Sequence, residues 1–451
     1  MADADRRMFL KVLGLGVASA AGLAPRAEAG PIHEGSRVME GEPTSGGGPV
    51  ALEGGKVVQP RREIPVMRQT DVLVVGGGSA GVVAAIAAAR AGARVTILER
   101  YGCFGGLWTG GLVLIVLCTH AQHGGRLLKC VHGVGDEMME RLVRIPGGII
   151  DQAPGRRNPT SDPEATKYIM DVMLTEAKVD IVLHSWVTNA IVDGGTVRGV
   201  IAESKSGCRA FLANVVVDAT GDGDVLAAAG ADHVRHIHRI GLVHRLGNVD
   251  RVAPPAGAPR PPDLGSGTPL PSVRWVNMQG PQGDCLDVET LTRCELGGRR
   301  AVWERLRKLQ ETPGYERVFL LDTASQLGVR ASRTLKGVHE LRLEDAKADR
   351  TYPDVVGIGG SESFIGERPC QIPYGTLVPA KLDGLLAAGR CVAADNLMLN
   401  YTRLIAPCFL TGQAAGAAAA LASQQHCRPR DLDVKQLQAL LRKQGVYLGE
   451  A

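Results

Sequence analysis

The residues whose types and spacing best suit chemistry are Gly76-Gly77-Gly78-Ser79-Ala80-Gly81. Such a run offers backbone N–H groups and room rather than reactive side chains. It follows the β-branched stretch Asp71-Val72-Leu73-Val74-Val75 and precedes small, helix-compatible residues at 82–91. That order of strand, glycine turn and helix is the one used to bind dinucleotides. Gly76 permits the tight turn, Gly78 lets the backbone approach a pyrophosphate, and Gly81 lets helix and strand pack closely. Ser79 and Ala80 open the helix, where unpaired N–H groups and the helix dipole favour an anion. A second strand, Arg94-Val95-Thr96-Ile97-Leu98, runs into Glu99 and Arg100. A carboxylate about twenty residues after the first glycine can accept hydrogen bonds from ribose hydroxyls. These residues predict a dinucleotide site and leave open whether FAD or NAD fills it.

Later segments return to that site. Val215-Val216-Val217-Asp218-Ala219-Thr220-Gly221-Asp222-Gly223-Asp224 is a buried strand breaking into a glycine turn, and it resembles the Ala-Thr-Gly-Asp turn of flavoproteins. Gly384-Leu385-Leu386-Ala387-Ala388-Gly389-Arg390 is another strand and turn, and Thr411-Gly412-Gln413-Ala414-Ala415-Gly416 opens an alanine-rich helix. A simple NAD dehydrogenase has no use for these distant returns. Together with Gly105-Gly106-Leu107-Trp108-Thr109-Gly110-Gly111, Gly328-Val329-Arg330-Ala331-Ser332-Arg333 and Ile372-Pro373-Tyr374-Gly375-Thr376, their order resembles the FAD-dependent oxidoreductase family over about residues 68–425. That family is a branch of the glutathione-reductase-like flavoproteins with two dinucleotide-binding motifs.

The resemblance implies an α/β chain: a Rossmann-like FAD-binding domain, with a parallel sheet, helices and a small antiparallel sheet, interrupted by an inserted α+β substrate or cap domain. It implies FAD as cofactor and hydride transfer at flavin N5. The cofactor contacts it implies are Gly76, Gly78, Ser79, Ala80, Gly81, Glu99, Arg100, Gly105, Gly106, Thr109, Val187, Ala219, Thr220, Gly221, Asp222, Gly389, Arg390, Gly412, Gln413, Ala414 and Gly416. Val187 would meet the adenine through its backbone, and the helix opening at Thr411 would aim its N-terminus at the flavin pyrimidine ring.

Catalytic candidates carry no spacing rule, because the substrate selects them. Arg330 and Arg333 match the family's paired arginines and suit a substrate carboxylate or the pocket wall; a structural salt bridge is the other reading. Arg403, before Ile405-Ala406-Pro407, is a candidate pocket charge. Tyr374 suits a substrate donor or a hydrogen-bonded core tyrosine. His244 suits a general base or a core histidine. His236 and His238 would share one strand face, and His120 and His123 one helix face, but a pair without a third ligand makes no metal site, and none is expected. Val355-Val356-Gly357-Ile358-Gly359-Gly360 mimics a second nucleotide turn, yet Glu362 stands where its third glycine belongs.

The elements that must position these residues follow from the whole chain of 451 residues, long enough for about three domains. Hydrophobic residues are 45%, charged residues 22%, aromatics 4%, and 58 glycines point to turns and close packing. With a formal charge of +4 and no long basic block, the electrostatics of nucleic-acid binding are missing. None of the ten cysteines shows C-x-x-C spacing, which removes zinc-ribbon and redox-dithiol chemistry. Asp5-Arg6-Arg7-Met8-Phe9-Leu10-Lys11, a mildly apolar run and Ala27-Glu28-Ala29 resemble a twin-arginine export signal. That run is shorter than the roughly 18–20 residues needed to span a bilayer, and no transmembrane segment is expected. The expected organisation is signal 1–29, linker 30–66, FAD-binding domain 67–235 and 331–426, cap 236–330 with a helix over 291–310, and tail 427–451 with a helix over 434–442. The expected activity is that of an exported, bacterial, periplasmic dehydrogenase or oxidase of a small organic molecule, with O2, a quinone or a redox protein as electron acceptor. The alternatives are a fumarate-reductase-like reductase of an activated C=C bond, or an accessory electron-passing flavoprotein.

Overall fold

The computed structural model describes residues 50–59, 61–150, 158–257, 263–277, 280–360, 365–366 and 368–449. The expected signal at 1–29 lies outside them. Within the expected linker, the described part carries a hairpin of Ala51–Glu53 and Lys56–Val58.

The central sheet is built on strands that are apolar on both faces. β1 (Val66–Val75), β2 (Val95–Leu98) and β3 (Asp180–Val182) lie side by side in parallel. Val72, Leu73 and Val74 of β1 are wholly buried, as a parallel strand covered on both sides requires. β4 (Trp186–Asp193), β5 (Thr196–Ser204) and β6 (Gly207–Asp218) form an antiparallel meander. β6 belongs to both systems. It runs parallel to β1 from Ala210 to Asp218, while on its other edge its first half pairs with β5 and its last three residues run parallel to β7 (Leu385–Ala387). The return of the chain to β7 after the long insertion thus completes the sheet beside the first glycine turn.

Two helices cover one another at a small-residue seam, α1 (Ser79–Arg90) and α2 (Ile405–Gln425). A Cβ at Gly412 would fall within 2.9 Å of the Ala80 Cα, and one at Gly416 within 2.8 Å of the Ala84 Cα, so the two backbones touch. By length and composition α2 could cross a membrane, a property the sequence reading did not assign; in the fold it is almost wholly buried.

The insertion has cores of its own. His244–Gly247 is flanked antiparallel by Arg274–Val276 and Phe319–Thr323. The helix Val288–Gln310 covers this sheet with Val302, Leu306 and Leu309. It starts three residues earlier than the sequence suggests, because Asp287 accepts the Thr290 N–H at 2.9 Å and caps it. Gly298 sits where a Cβ would be 3.0 Å from the Leu242 Cβ, which explains a glycine inside this helix. The chain leaves for the insertion and returns from it along two successive ladders, His233–Arg235 with Arg333–Leu335 at its boundary and His238–Gly241 with Gly328–Val329 just inside it. The nucleotide-turn mimic at 355–360 is the strand Val355–Gly359, paired with Cys370–Pro373. The closing helix runs Val434–Lys443.

Candidate functional site

Two glycine turns meet at the C-terminal ends of β1 and β6. Gly76 has φ +99°, and a Cβ there would lie 2.5 Å from the Ala219 carbonyl oxygen, so this close approach needs glycine. Ala219 N–H donates to the Val75 carbonyl at 2.8 Å, fixing one turn on the other. A Cβ at Gly81 would collide with the Gly76 carbonyl oxygen, which is how helix α1 comes down on its own turn. Gly78 differs from both: it is the α1 N-cap with extended backbone, and a Cβ there would meet nothing within 4 Å. Space therefore opens at the one glycine that faces the N-terminus of α1, beside the buried Ser79 and Ala80. Glu99 is buried, and its carboxylate accepts from Gly77 N–H at 2.6 Å and Tyr101 N–H at 2.9 Å. The Arg100 guanidinium lies over the rings of Tyr101 and Trp186 at 4.9 and 5.1 Å. Val75, Gly76, Glu99, Arg100, Trp186 and Val187 line a shallow cleft, with Thr220 and Asp224 at its side toward the second turn.

The second turn is organised by a carboxyl at the end of β6. Asp218, wholly buried, accepts from the Thr220 N–H and hydroxyl at 3.1 and 2.7 Å and from the Leu226 N–H at 2.8 Å. Burial pushes its pKa up to about 6 from 3.8, against those hydrogen bonds. The native state therefore takes up this proton before the unfolded chain does, and the group's stabilising contribution is complete below about pH 4 and lost as pH rises through 6. Relative to Asp218→Asn, the wild type is expected to gain roughly 2–3 kcal/mol of unfolding free energy between about pH 7 and pH 4. Urea denaturation of both proteins at each pH measures it; a pH-independent difference would mean an unshifted carboxyl.

Around this turn the carboxylates are already engaged. Asp222 accepts from Arg390 Nη2 and from the Ser332 hydroxyl, each at 2.7 Å. Arg333 donates to the Asp222 carbonyl at 2.9 Å and pairs with Asp224 at 3.1 Å. Arg390 also donates to the Val329 carbonyl, tying β7 and its turn to the inserted ladder. A Cβ at Gly221, which has φ +77°, would fall 2.8 Å from Arg390 Nη2. Of the two arginines read as a pair, Arg333 is the structural one.

Several expected site residues are placed elsewhere. The long helix begins at Ile405, so Gly412 and Gly416 lie in its interior on α1, and Ala414 is buried in the same helix. Gln413 accepts the Val134 N–H at 3.0 Å, capping another helix. The helix end that points to the site is Leu404–Ile405, preceded by Arg403. Gly389, with φ +77°, would carry a Cβ 2.9 Å from that of Ala80, which sets its turn on the N-terminus of α1. Gly106 lies against Gly78, while the Thr109 hydroxyl donates to the Phe104 carbonyl at 2.6 Å and braces the Gly105 turn. Tyr374 is buried, and its hydroxyl donates to the Pro429 carbonyl at 2.9 Å. Tyr374→Phe is expected to cost about 1 kcal/mol of stability and to leave turnover unchanged; an intact but inactive variant would return Tyr374 to the site. His244 is buried within the sheet of the insertion, and burial pushes its pKa down to about 4, so it is a neutral interior histidine. His120 and His123 stand on the hairpin His120–His123/Arg126–Lys129, not on a helix.

A basic group forms where the ladder meets the start of α2. Ile240 is opposite Val329, so Arg239, just before Ile240, and Arg330, just after Val329, lie at the same end of this ladder. Burial and the Arg239 charge both lower the Arg330 pKa. His238 is half-buried. Its Nδ1 accepts the Arg239 N–H at 2.8 Å, and Asn400 hydrogen-bonds the ring. Burial, then the charges of Arg403 and Arg330, hold its pKa low. Cys408, in the first turn of α2, lies 3.6 Å from where a Cβ at Gly389 would stand, which puts the start of α2 beside the Gly389 turn.

A family model described as FAD dependent oxidoreductase matches residues 71–239 and 269–441, more than half of the chain. The chain belongs to this family. It is an FAD-dependent oxidoreductase enzyme, and its cofactor is FAD. It is 32% identical over 158 residues to a digeranylgeranylglycerophospholipid reductase 2 of Methanopyrus kandleri, covering 34% of this chain and 37% of that one. It is 31% identical over 161 residues to a thiamine thiazole synthase of Aeropyrum pernix, covering 35% and 57%. The chain thus spans between about a third and somewhat over half of the length of these relatives. Among solved structures it is similar to a geranylgeranyl bacteriochlorophyll reductase-like protein of Thermoplasma acidophilum, with TM-score 0.42, 15% identity and 83% of each chain covered.

The residues present fit FAD. The open Cβ direction at Gly78 leaves room for an anion at the foot of α1, and Glu99, Trp186 and Val187 line one cleft beside it. Sequence reasoning had missed Arg239 and Asn400, whose importance comes from pairing across distant segments. It had also misplaced the start of α2, although Pro407 in the first helical turn, where no N–H is needed, was the available signal.

Proposed function

We propose that FAD lies with its adenosine along Glu99, Arg100, Trp186 and Val187, its pyrophosphate on Gly78 and the first turn of α1, and its ring system toward Gly105, Gly106, Gly389, Arg390 and the N-terminus of α2. The observation that carries this reading is the Gly78 opening at the foot of α1. When bound, FAD supplies a two-electron acceptor. The chain's own contribution is to orient a small organic substrate between the inserted ladder and Arg403, with Arg330 directly after the strand Gly328–Val329, and to exclude water with the cap. The reaction is dehydrogenation, with O2, a quinone or a redox protein as the final acceptor. The relatives named as reductase and synthase match only part of the chain, so they support the flavin site and leave the substrate to be argued from the basic group.

The test is a visible spectrum of the purified protein before and after acid precipitation. Oxidised-flavin bands that pass to the supernatant are expected. A colourless protein that takes up no added FAD would overturn the reading. The Arg6-Arg7 motif supports export by the twin-arginine route to the periplasm. Changing both arginines to lysine is expected to retain the protein in the cytoplasm, and undiminished export would argue against that route.

A further inference from the structure

The charge inventory beside the ladder is unbalanced. Asp222 is taken by Arg390, Asp224 by Arg333 and Asp284 by Arg235. Among the described residues, Arg239 and Arg330 have no carboxylate partner, although Arg239 directly precedes Ile240 and Arg330 directly follows Val329, and Ile240 and Val329 are paired across the ladder. Like charges at the same end of a ladder destabilise it unless an anion lies between or beside them. Arg330 is half-buried, so solvent only partly screens it. Arg403 brings a third guanidinium to the same place, directly before the N-terminus of α2, whose dipole adds to the positive potential. His238 does not supply the charge: its Nδ1 already accepts a backbone N–H and its ring is held by Asn400. Its part is to hold Asn400 and the strand in place.

We propose that the substrate of this enzyme is an organic carboxylate, its acid group held by Arg330 and Arg239 from the ladder and by Arg403 from the start of α2. This rests on the flavin site described above and names the substrate class that site takes. An arginine fork matches a carboxylate in two parallel hydrogen bonds, which would fix one end of the molecule and leave the other toward Gly389 and the flavin ring.

The experiment compares acids with their neutral amides on the FAD-loaded enzyme: benzoate and succinate against benzamide and succinamide. Binding is read by calorimetry and by perturbation of the flavin absorption band. At least one acid is expected to bind at least about tenfold more tightly than its amide, and to weaken as salt is raised. Arg330→Met is expected to abolish that preference while keeping the flavin spectrum, and Arg330→Lys to restore part of it. Equal binding of acids and amides, no acid binding at all, or a preference that survives Arg330→Met would overturn the proposal. Because the wild-type comparison needs no variant, a folding defect in Arg330→Met leaves the test intact. A protein that takes up no FAD would instead count against the flavin placement, and calorimetry of acids against amides still reads the basic group by itself.

Discussion

Gly78→Val is expected to yield a folded protein that has lost FAD. The backbone at Gly78 is extended, with φ −71° and ψ −175°, a conformation any L-residue adopts. A Cβ there touches nothing within 4 Å, so the apo fold gives up only what a poorer N-cap gives up, about 1 kcal/mol or less. The valine methyls would fill the space through which an anion reaches the first N–H groups of α1. Losing two charge-assisted hydrogen bonds at about 1.5 kcal/mol each corresponds to a loss of affinity of about 100-fold. The measurement is a fluorescence titration of apo-protein with FAD, beside urea unfolding of the same apo-protein. Unchanged affinity would mean that the pyrophosphate takes another path across the two turns.

Gly416→Leu is expected to do the reverse. Here the Cβ points into the Ala84 carbonyl, and the contact is backbone on backbone, so no flexible side chain can yield. The helices must separate along a seam that includes Ala80 and Gly412, next to the glycine turn itself. Overpacking at such a site is expected to cost about 3 kcal/mol or more. The loss should appear in the unfolding midpoint of apo-protein, before any cofactor is added. If Gly416 contacted FAD, the apo-protein would unfold as the wild type does and only the titration would change.

The contrast between these glycines shows what was legible in the residues. The strand, turn and helix at 71–91 could be read directly, because each requirement is local: apolar β-branched residues make a buried strand, and the spacing fixes which glycine turns, which opens and which packs. Glu99 followed from the same spacing, and its carboxylate reaches back to Gly77 N–H across one βαβ unit. Gly412 and Gly416 carry the same residue type in an equally suggestive pattern, yet their neighbours are more than three hundred positions away. A small residue near a cofactor and one between helices look alike until the partner is known.

The same distinction separates the arginines. Sequence order put Arg330 and Arg333 three residues apart in one motif, but in a strand, register and partner decide what each side chain meets. Arg333 falls to Asp222 and Asp224, while Arg330 follows Val329, the partner of Ile240, and takes no carboxylate among the described residues. His244 and Tyr374 were chemically capable, and the fold turned both inward, where burial moves their pKa values away from neutrality. By itself, then, the sequence determined the dinucleotide turn, its acid and the order of the segments that return to it, since those depend on conformational limits and short separations. Only the tertiary structure decided which glycines leave open space, where α2 begins, and that Arg330 directly follows a strand paired with the one that carries Arg239. Those outcomes depend on pairing between parts of the chain that no local pattern connects.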